Sequence, residues 1–317
     1  MISMRRLLYE CGYFKSSRVG VHVIVVGNVV AGGAGKTPLV IALVKHLQGC
    51  GISVGVVSRG YGRVETSCQE VCEDTLISES GDEPALIKYT TGAPVFVASK
   101  RTEAARALLG AYPKTQLLVC DDGLQHYALA RDIEIAVFDD RGLGNGWLLP
   151  AGPLREPWPK RLHSGIDMVL HTGQTPSFEG FTSVRQLADF AVAPDGSKVL
   201  LSSLRGKPLI ALAAIANPDA FFTMLATSGL SLSRTIALPD HYDFSNYRLA
   251  VEDQTIVLCT EKDAVKLFKL PRMTSVRVLA VPLIFLPEPA FINALNVLLK
   301  PLLPGTLLSQ LPSSHGH

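Results

Sequence analysis

Long apolar runs are missing. No stretch reaches the ~18 consecutive apolar residues of a membrane-spanning helix, which argues against a conventional transmembrane segment in this chain. Cysteine is scarce, with 6 in 317 residues. Cys68 and Cys72 are the only close pair, and no second pair at zinc-like spacing accompanies them. That excludes a disulfide scaffold and fits reduced thiols in a cytosolic compartment. Excess charge is also lacking: 30 Lys and Arg against 28 Asp and Glu leave a net charge of +2. The balance excludes an acidic tail and a dedicated nucleic-acid binder, which concentrates far more positive charge. Charged residues make up 18% of the chain, below the ~25% usual in soluble domains, and the mean hydropathy is +0.26. The chain is drier than an ordinary cytosolic enzyme. At the N-terminus, Arg5, Arg6, Lys15 and Arg18 surround a short patch of Leu7, Leu8 and Tyr9. No apolar core long enough for export follows it. Internal repeats and low-complexity segments are absent.

The sequence does carry a rhythm of strands and helices. Val19–Val30 (VGVHVIVVGNVV) is a nearly continuous β-branched run of the kind found in buried parallel strands. Thr37–Gln48 has helical apolar spacing, with Pro38 near its start, where the missing N–H costs nothing. Further strands are expected at 52–58, 116–120, 133–138 and 168–171, with a helix over 103–109. The rhythm restarts after Lys207: strand 209–215, helix 218–228, strand 255–259, a helix from Asp263 and strand 276–283. Such alternation predicts an α/β fold with a doubly wound, P-loop NTPase-like parallel sheet and a second, smaller α/β domain. The expected division is 1–203 for the first, including an N-terminal membrane-proximal segment, and 204–317 for the second. Residues 140–165 break the rhythm with Gly and Pro and read as a functional loop.

The densest chemical signal is Gly32-Gly33-Ala34-Gly35-Lys36-Thr37, between the first strand and the first helix. Backbone N–H groups of such a turn cradle phosphate oxygens, Lys36 reaches the β and γ phosphates, and the Thr37 hydroxyl can ligate Mg²⁺. The strict pattern wants glycine at position 30, which is Val; Gly27 stands three residues upstream instead. The order of strand, turn, GKT and helix supplies the context. Asp121 and Asp122 follow the strand QLLVC at the edge where open α/β sheets bind ligands, and are candidates for the metal site.

Two candidates can handle a proton. Asp82 in Gly81-Asp82-Glu83-Pro84 lies in a loop after the second strand, and reads equally as a general base or as a helix N-cap. His241 in LPDHYDF is the other, with a structural role as its alternative. Arg59, Arg63, Lys100, Arg101 and Arg155 can grip phosphate groups or serve as surface cations.

Together these residues resemble the tetraacyldisaccharide 4′-kinase family, the lipid A 4′-kinases of Gram-negative bacteria. The resemblance rests on VVGNVVAGGAGKTP, VSRGYGR, GDEP, DDGLQH, GNGWLLPAGPLREP, PDHYDF and TEKDAVK, in family order from Val25 to Lys266. The Gly-Asn start of the first block resembles that family's own phosphate-loop variant. The resemblance implies an ATP- and Mg²⁺-dependent transfer of the γ-phosphate to the 4′-hydroxyl of a tetraacylated glucosamine disaccharide 1-phosphate. It implies ATP at Gly32–Thr37, metal at Thr37, Asp121 and Asp122, Asp82 as catalytic base, and His241 as its support. Glu83, Gln125, His126, Arg155 and Glu156 fall on positions that shape the active site or meet the lipid. Two α/β domains joined by a short ribbon are implied as well. So is a monomer at the cytoplasmic face of the inner membrane, acting on a bilayer lipid and not on nucleic acid.

The family usually opens with a membrane-spanning helix, whereas this chain has about twenty residues before its first strand. Either the start is truncated, or Met1–Phe14 and other apolar surface attach the chain peripherally, as the N-terminal segment leads us to expect. Ala214–Pro218 (AIANP) also departs from a stretch where related chains tend to carry glycine. The main alternative is a P-loop switch or partitioning ATPase. It explains Lys36, Thr37 and the aspartates, but gives GDEP, LREP and PDHY no task. A soluble small-molecule kinase is a second alternative.

Overall fold

The structure is a computed structural model that describes residues 8–9, 11–159, 166–248, 255–270 and 276–305. Two sheets organise it. The first contains β1 (His22–Gly27), β2 (Val54–Ser58), β3 (Gln69–Glu70), β4 (Val95–Val97), β5 (Leu117–Asp121), β6 (Ile133–Phe138), β7 (Met168–His171) and β8 (Phe181–Leu187). β15 (Leu283–Pro287) joins from far along the chain, giving the order β15-β8-β7-β6-β1-β5-β2-β4-β3. All neighbours are parallel except β3 on β4 and β15 on β8. The second sheet contains β9 (Phe190–Val192), β10 (Lys198–Leu200), β11 (Leu209–Ala213), β12 (Leu232–Ala237), β13 (Ile256–Thr260) and β14 (Arg277–Val281). Its order is β10-β9-β14-β13-β11-β12, parallel from β14 to β12.

The β-branched run becomes the centre of the first sheet because both of its faces are covered. Ile24 and Val26 pack under α1 (Lys36–Gly49) with Leu39, Leu43 and Leu47. Val23 and Val25 point the other way, toward Ala104 and Leu108 of α4 (Arg101–Ala111). Two helices lie between α1 and α4: α2 (Ile77–Ser80) and α3 (Asp82–Thr91). In the second sheet, Phe221 and Leu225 of α5 (Pro218–Thr227) cover one face, and Ala264 and Leu267 of α6 (Glu261–Leu267) the other. Asn217 caps α5 through a hydrogen bond from the Ala220 N–H, with Pro218 at the first helical position.

Chain order and sheet membership part company at the ribbon. β15 runs antiparallel to β8 over five residue pairs, Leu283↔Leu187 to Pro287↔Ser183. α7 (Pro289–Leu299) then buries Phe291, Leu295 and Leu299 against the first core. Residues 190–200 already belong to the second sheet, so the division expected after residue 203 falls between two of its strands, β10 and β11. The reason is the character of β8: FTSVRQL is half exposed and has no apolar run to betray it. The GDEP segment also differs from expectation. It opens α3 rather than lying in a loop, and Gly81 adopts a φ of 83°. A Cβ there would stand 2.9 Å from the Tyr61 carbonyl, so glycine allows the helix to start against the Gly60–Tyr61 backbone.

Candidate active site

The carboxyl edge of the first sheet gathers the turn after β1, Ser58, and the Asp121–Asp122 pair. Asn28 is fully buried and shapes the phosphate loop from within. Its Nδ2 donates to the Gly32 carbonyl at 2.9 Å, and its Oδ1 accepts from Lys36 Nζ at 3.2 Å. This accounts for the displaced glycine: Gly27 lets Leu124 pack tightly beneath the turn, and Asn28 closes the turn. Gly35 is left-handed, with φ 80°, and no side chain caps α1. The first N–H groups of that helix remain available to an anion. Arg141 braces the loop from outside, donating to the carbonyls of Ala31 and Gly33 at 3.3 and 3.1 Å while Asp139 holds its guanidinium. Behind the loop, the Arg155 and Ala31 N–H groups donate to Val29 and Pro153, so the 144–157 segment straps the back of the turn.

The two aspartates after β5 face different surroundings. Asp121 is 1% exposed; its Oδ2 accepts from Ser58 Oγ at 3.4 Å, and its Oδ1 has no hydrogen-bond partner. Burial, then the charges of Glu83 and Asp122, push its carboxyl up to about 7. An orphaned, buried carboxylate at a phosphate loop fits a hard cation, which the buried Thr37 hydroxyl could also ligate. Among the described residues no group of three His, Cys, Asp or Glu side chains converges as a metal cage. Mg²⁺ needs none, since it keeps several waters and shares phosphate oxygens. Asp122 is already engaged: Arg155 Nη1 approaches both its oxygens at 3.2 and 3.3 Å, and Lys36 Nζ lies at 3.5 Å.

Asp82 and His241 meet, although 159 residues separate them in the chain. His241 Nδ1 stands 3.1 Å from Asp82 Oδ2, and Lys266 Nζ reaches the same oxygen at 2.6 Å. Lys266 also donates to the Tyr242 carbonyl, tying the PDHY loop to α6. Burial works to raise the Asp82 pKa, but the hydrogen bonds from His241 and Lys266 outweigh it and hold the carboxyl below its ordinary value. The Asp82 hydrogen bond raises the His241 pKa, against the opposing effects of burial and Lys262. His241 itself sits at φ 61°, a conformation uncommon outside glycine, and its ring lies 5.6 Å from that of Tyr61. Lys262, one helical turn before Lys266, binds Asp240 at 2.8 Å.

Lys266 was visible in TEKDAVK only as part of a block. Its signal is the i, i+4 lysine pair behind a Thr-x-x-Asp start, where Thr260 caps α6 by accepting from the Asp263 N–H.

The remaining expected site residues divide. Glu83 lines a cavity of about 750 Å³ together with Gly33–Pro38, Asp240 and Lys262. Ile215, Phe221 and Ile284 supply apolar wall from both sheets. Arg155 is half-buried on Asp122. Gln125 and Glu156 turn to one another: Gln125 Nε2 donates to Glu156 Oε1 at 2.7 Å and to the Asn28 carbonyl at 3.1 Å, and Glu156 also accepts from Tyr127. Glu156 is 0% exposed, so here it braces the phosphate loop rather than presenting its carboxylate to a ligand. His126 accepts from the Arg101 N–H, and Arg101 is buried against the Asp122 carbonyl. Met1–Leu7 and Glu10, part of the expected membrane segment, lie outside the described residues.

Comparison with known proteins gives one consistent result. Residues 1–300 match the family model LpxK, described as tetraacyldisaccharide-1-P 4′-kinase. The chain is 65% identical over 317 residues to a tetraacyldisaccharide 4′-kinase of Polaromonas naphthalenivorans (strain CJ2), covering 100% of this chain and 91% of that protein. It is 52% identical over 304 residues to one from Acidovorax sp. (strain JS42), covering 95% and 88%. Its fold is similar to the crystal structure of an "apo" form of LpxK from Aquifex aeolicus in complex with ATP, with a TM-score of 0.81 and 29% identity over 95% of this chain and 94% of that one.

Proposed function

The chain belongs to the tetraacyldisaccharide-1-P 4′-kinase family, and from that premise we propose how its own residues carry the transfer. The enzyme is an ATP-dependent lipid kinase of lipid A biosynthesis that phosphorylates the 4′-hydroxyl of a tetraacylated disaccharide 1-phosphate. ATP lies with its phosphates in Gly32–Thr37 and its base toward the apolar wall of the cavity. Thr37 and Asp121 would hold Mg²⁺, which would neutralise charge on the ATP phosphates. Asp82 accepts a hydrogen bond from the sugar hydroxyl through Oδ1, since His241 and Lys266 occupy Oδ2.

A carboxylate held below its usual pKa is a weak base, yet this suits the chemistry. Phosphoryl transfer runs through a loose transition state in which alignment and charge outweigh early proton removal. As the hydroxyl oxygen bonds to the γ-phosphorus, the bond to the bridging oxygen breaks and ADP leaves with the electron pair. The hydroxyl proton passes to Asp82. His241 and Lys266 act through Asp82, fixing its rotamer and its charge. Asn28, Gln125 and Glu156 keep the phosphate loop in shape.

The observation that carries this reading is the Asp82–His241–Lys266 contact beside a phosphate-loop cavity. A switch ATPase has no use for it. Incubation with labelled ATP and a tetraacyldisaccharide 1-phosphate in detergent should give a bisphosphorylated lipid. ATP turnover indifferent to the lipid would favour the ATPase instead.

The same reading places the active site at a bilayer, on the cytoplasmic face of the inner membrane. No helix among the described residues is long and apolar enough to cross a membrane. Tyr13, Trp147 and Leu149 are more than half exposed, Trp147 and Leu149 in the loop that leads to Arg155. Side chains of this kind rest at the headgroup level, which supports a peripheral attachment.

A further inference from the structure

We propose that Arg185, on the ribbon strand β8, is the cation that grips the terminal phosphates of ATP during transfer. The proposal rests on the kinase reading and adds a residue that no sequence motif marks. Gly35, the last glycine of the phosphate loop, carries the guanidinium over its Cα face: a Cβ at that position would overlap Arg185 Nη2 and lie 3.2 Å from Cζ. Glycine here therefore does two things. It adopts φ 80°, and it leaves room for an arginine head directly beside Lys36. Arg185 lines the same cavity as Gly33–Pro38.

The other cations that touch the phosphate loop or its aspartate are committed. Lys36 contacts Asn28 and Asp122, Arg141 is held by Asp139, and Arg155 by Asp122. Arg185 forms no ion pair among the described residues; its ring contact is Phe285, at 6.0 Å across the ribbon. Although the residue as a whole is exposed, desolvation of its head lowers its pKa, with Asp139 and Asp140 pulling the other way through space. A guanidinium remains charged under such conditions. A cation laid beside a nest of N–H groups, with no anion of its own, is half of a charge pair. The planar fork matches two phosphate oxygens at once.

Arg185 makes and breaks no bond. As the γ-phosphoryl group leaves the β-phosphate for the sugar oxygen, charge grows on the bridging oxygen and persists on the transferring group. A fixed arginine stabilises both. Because β8 is the strand through which the chain passes toward the second sheet, seating Arg185 on ATP also ties the nucleotide to the ribbon.

The test compares Arg185→Ala and Arg185→Lys with the unaltered full chain. It uses lipid phosphorylation and, separately, binding titrations with Mg–ATP, ADP and AMP. Arg185→Ala should lower kcat/KM for ATP about 10²–10³-fold. It should weaken ATP binding about tenfold or more while leaving AMP binding within about twofold. Arg185→Lys keeps the charge without the fork and should fall between, and added guanidinium ion should restore part of the Ala variant's turnover. Activity of Arg185→Ala within about threefold of the unaltered enzyme overturns the proposal, as does equal weakening for ATP and AMP, which would mark a residue that merely braces the ribbon. If the Ala variant does not fold, the Lys variant gives the same ATP-to-AMP comparison. A protein that binds ATP through Arg185 but phosphorylates no lipid would overturn the kinase reading and leave this one standing.

Discussion

The phosphate loop and the Asp82 clamp occupy the same sheet edge but are held in opposite ways. Asn28, Asp122, Arg141, Pro153 and Arg155, which shape the loop, all come from segments around the first sheet. Asp82 also comes from the first sheet, at the start of α3, yet both groups that grip it arrive from the second: His241 after β12 and Lys266 on α6. The loop is therefore complete whenever the first sheet is folded. The clamp exists only while the two sheets hold this relative placement. A phosphate loop built locally and an acceptor site built across a gap make transfer depend on closure, which guards ATP against water.

The sharpest way to break this comparison is to damage each half alone. Asp82→Ala should lower the single-turnover rate of lipid phosphorylation about 10²–10⁴-fold while ATP affinity stays within a few-fold. Lys36→Ala should also remove most activity, but through the nucleotide, with weaker ATP binding. An Asp82→Ala protein with ordinary turnover and poor ATP affinity would move Asp82 into the nucleotide site and erase the distinction.

A smaller effect separates the members of the clamp. His241→Ala and Lys266→Met should each cost about tenfold in kcat, and together much less than the product, because both act through one carboxylate. Fully multiplicative losses would mean independent roles. The pH signs differ. His241 has a raised pKa, so the stability it lends is fully present below 6.5 and is lost as pH rises through its folded value. Asp82 has a lowered pKa, so its share is present above 3.8 and is lost as pH falls through its folded value. Between those limits both grips are charged, and Lys266 maintains one of them after His241 has released its proton. Replacing Asp82 with Asn should bring the His241 pKa down, as NMR titration of the ring would report. An unchanged value would show that the contact does not form in solution.

The same contrast decides what could be read in the sequence. β1, β6 and α1 were legible within a few residues because burial on two faces writes itself as continuous apolar runs or helical spacing. GKT and the aspartate pair were legible because phosphate binding is a local backbone problem. β8, β15 and α7 were not, since a half-exposed ribbon whose partners lie about a hundred residues apart leaves no periodic trace. Asp82 and His241 were found as candidates from their residue types, and their pairing was implied by resemblance alone. Lys266 and Arg185 went unnoticed for a common reason. Each is an ordinary cation on an ordinary element, given its meaning by a partner far away in sequence: Asp82 for one, Gly35 for the other.

The smallest expected effect on folding tests the loop side of the comparison, where function should conflict with stability. Asp121 is buried with one oxygen unpartnered, and its pKa near 7 means that the folded chain favours its neutral form. For an acid with a raised folded pKa, the folded state binds the extra proton, so stability falls as pH rises from 3.8 toward 7. Asp121→Asn keeps the shape, removes the charge, and should raise the Tm of ligand-free protein at pH 8 by about 2–4 °C or more. At pH 5, where the native carboxyl is protonated, the gain should vanish. Mg–ATP should stabilise the unaltered protein far more than the variant, because the cation supplies the missing partner of the Asp121 oxygen. Lipid phosphorylation by the variant should be severely reduced. Differential scanning fluorimetry at the two pH values, with and without Mg–ATP, decides the matter. A Tm gain equal at pH 5 and pH 8, or no gain at either, would mean that Asp121 carries no stored electrostatic strain and that the cation is held elsewhere.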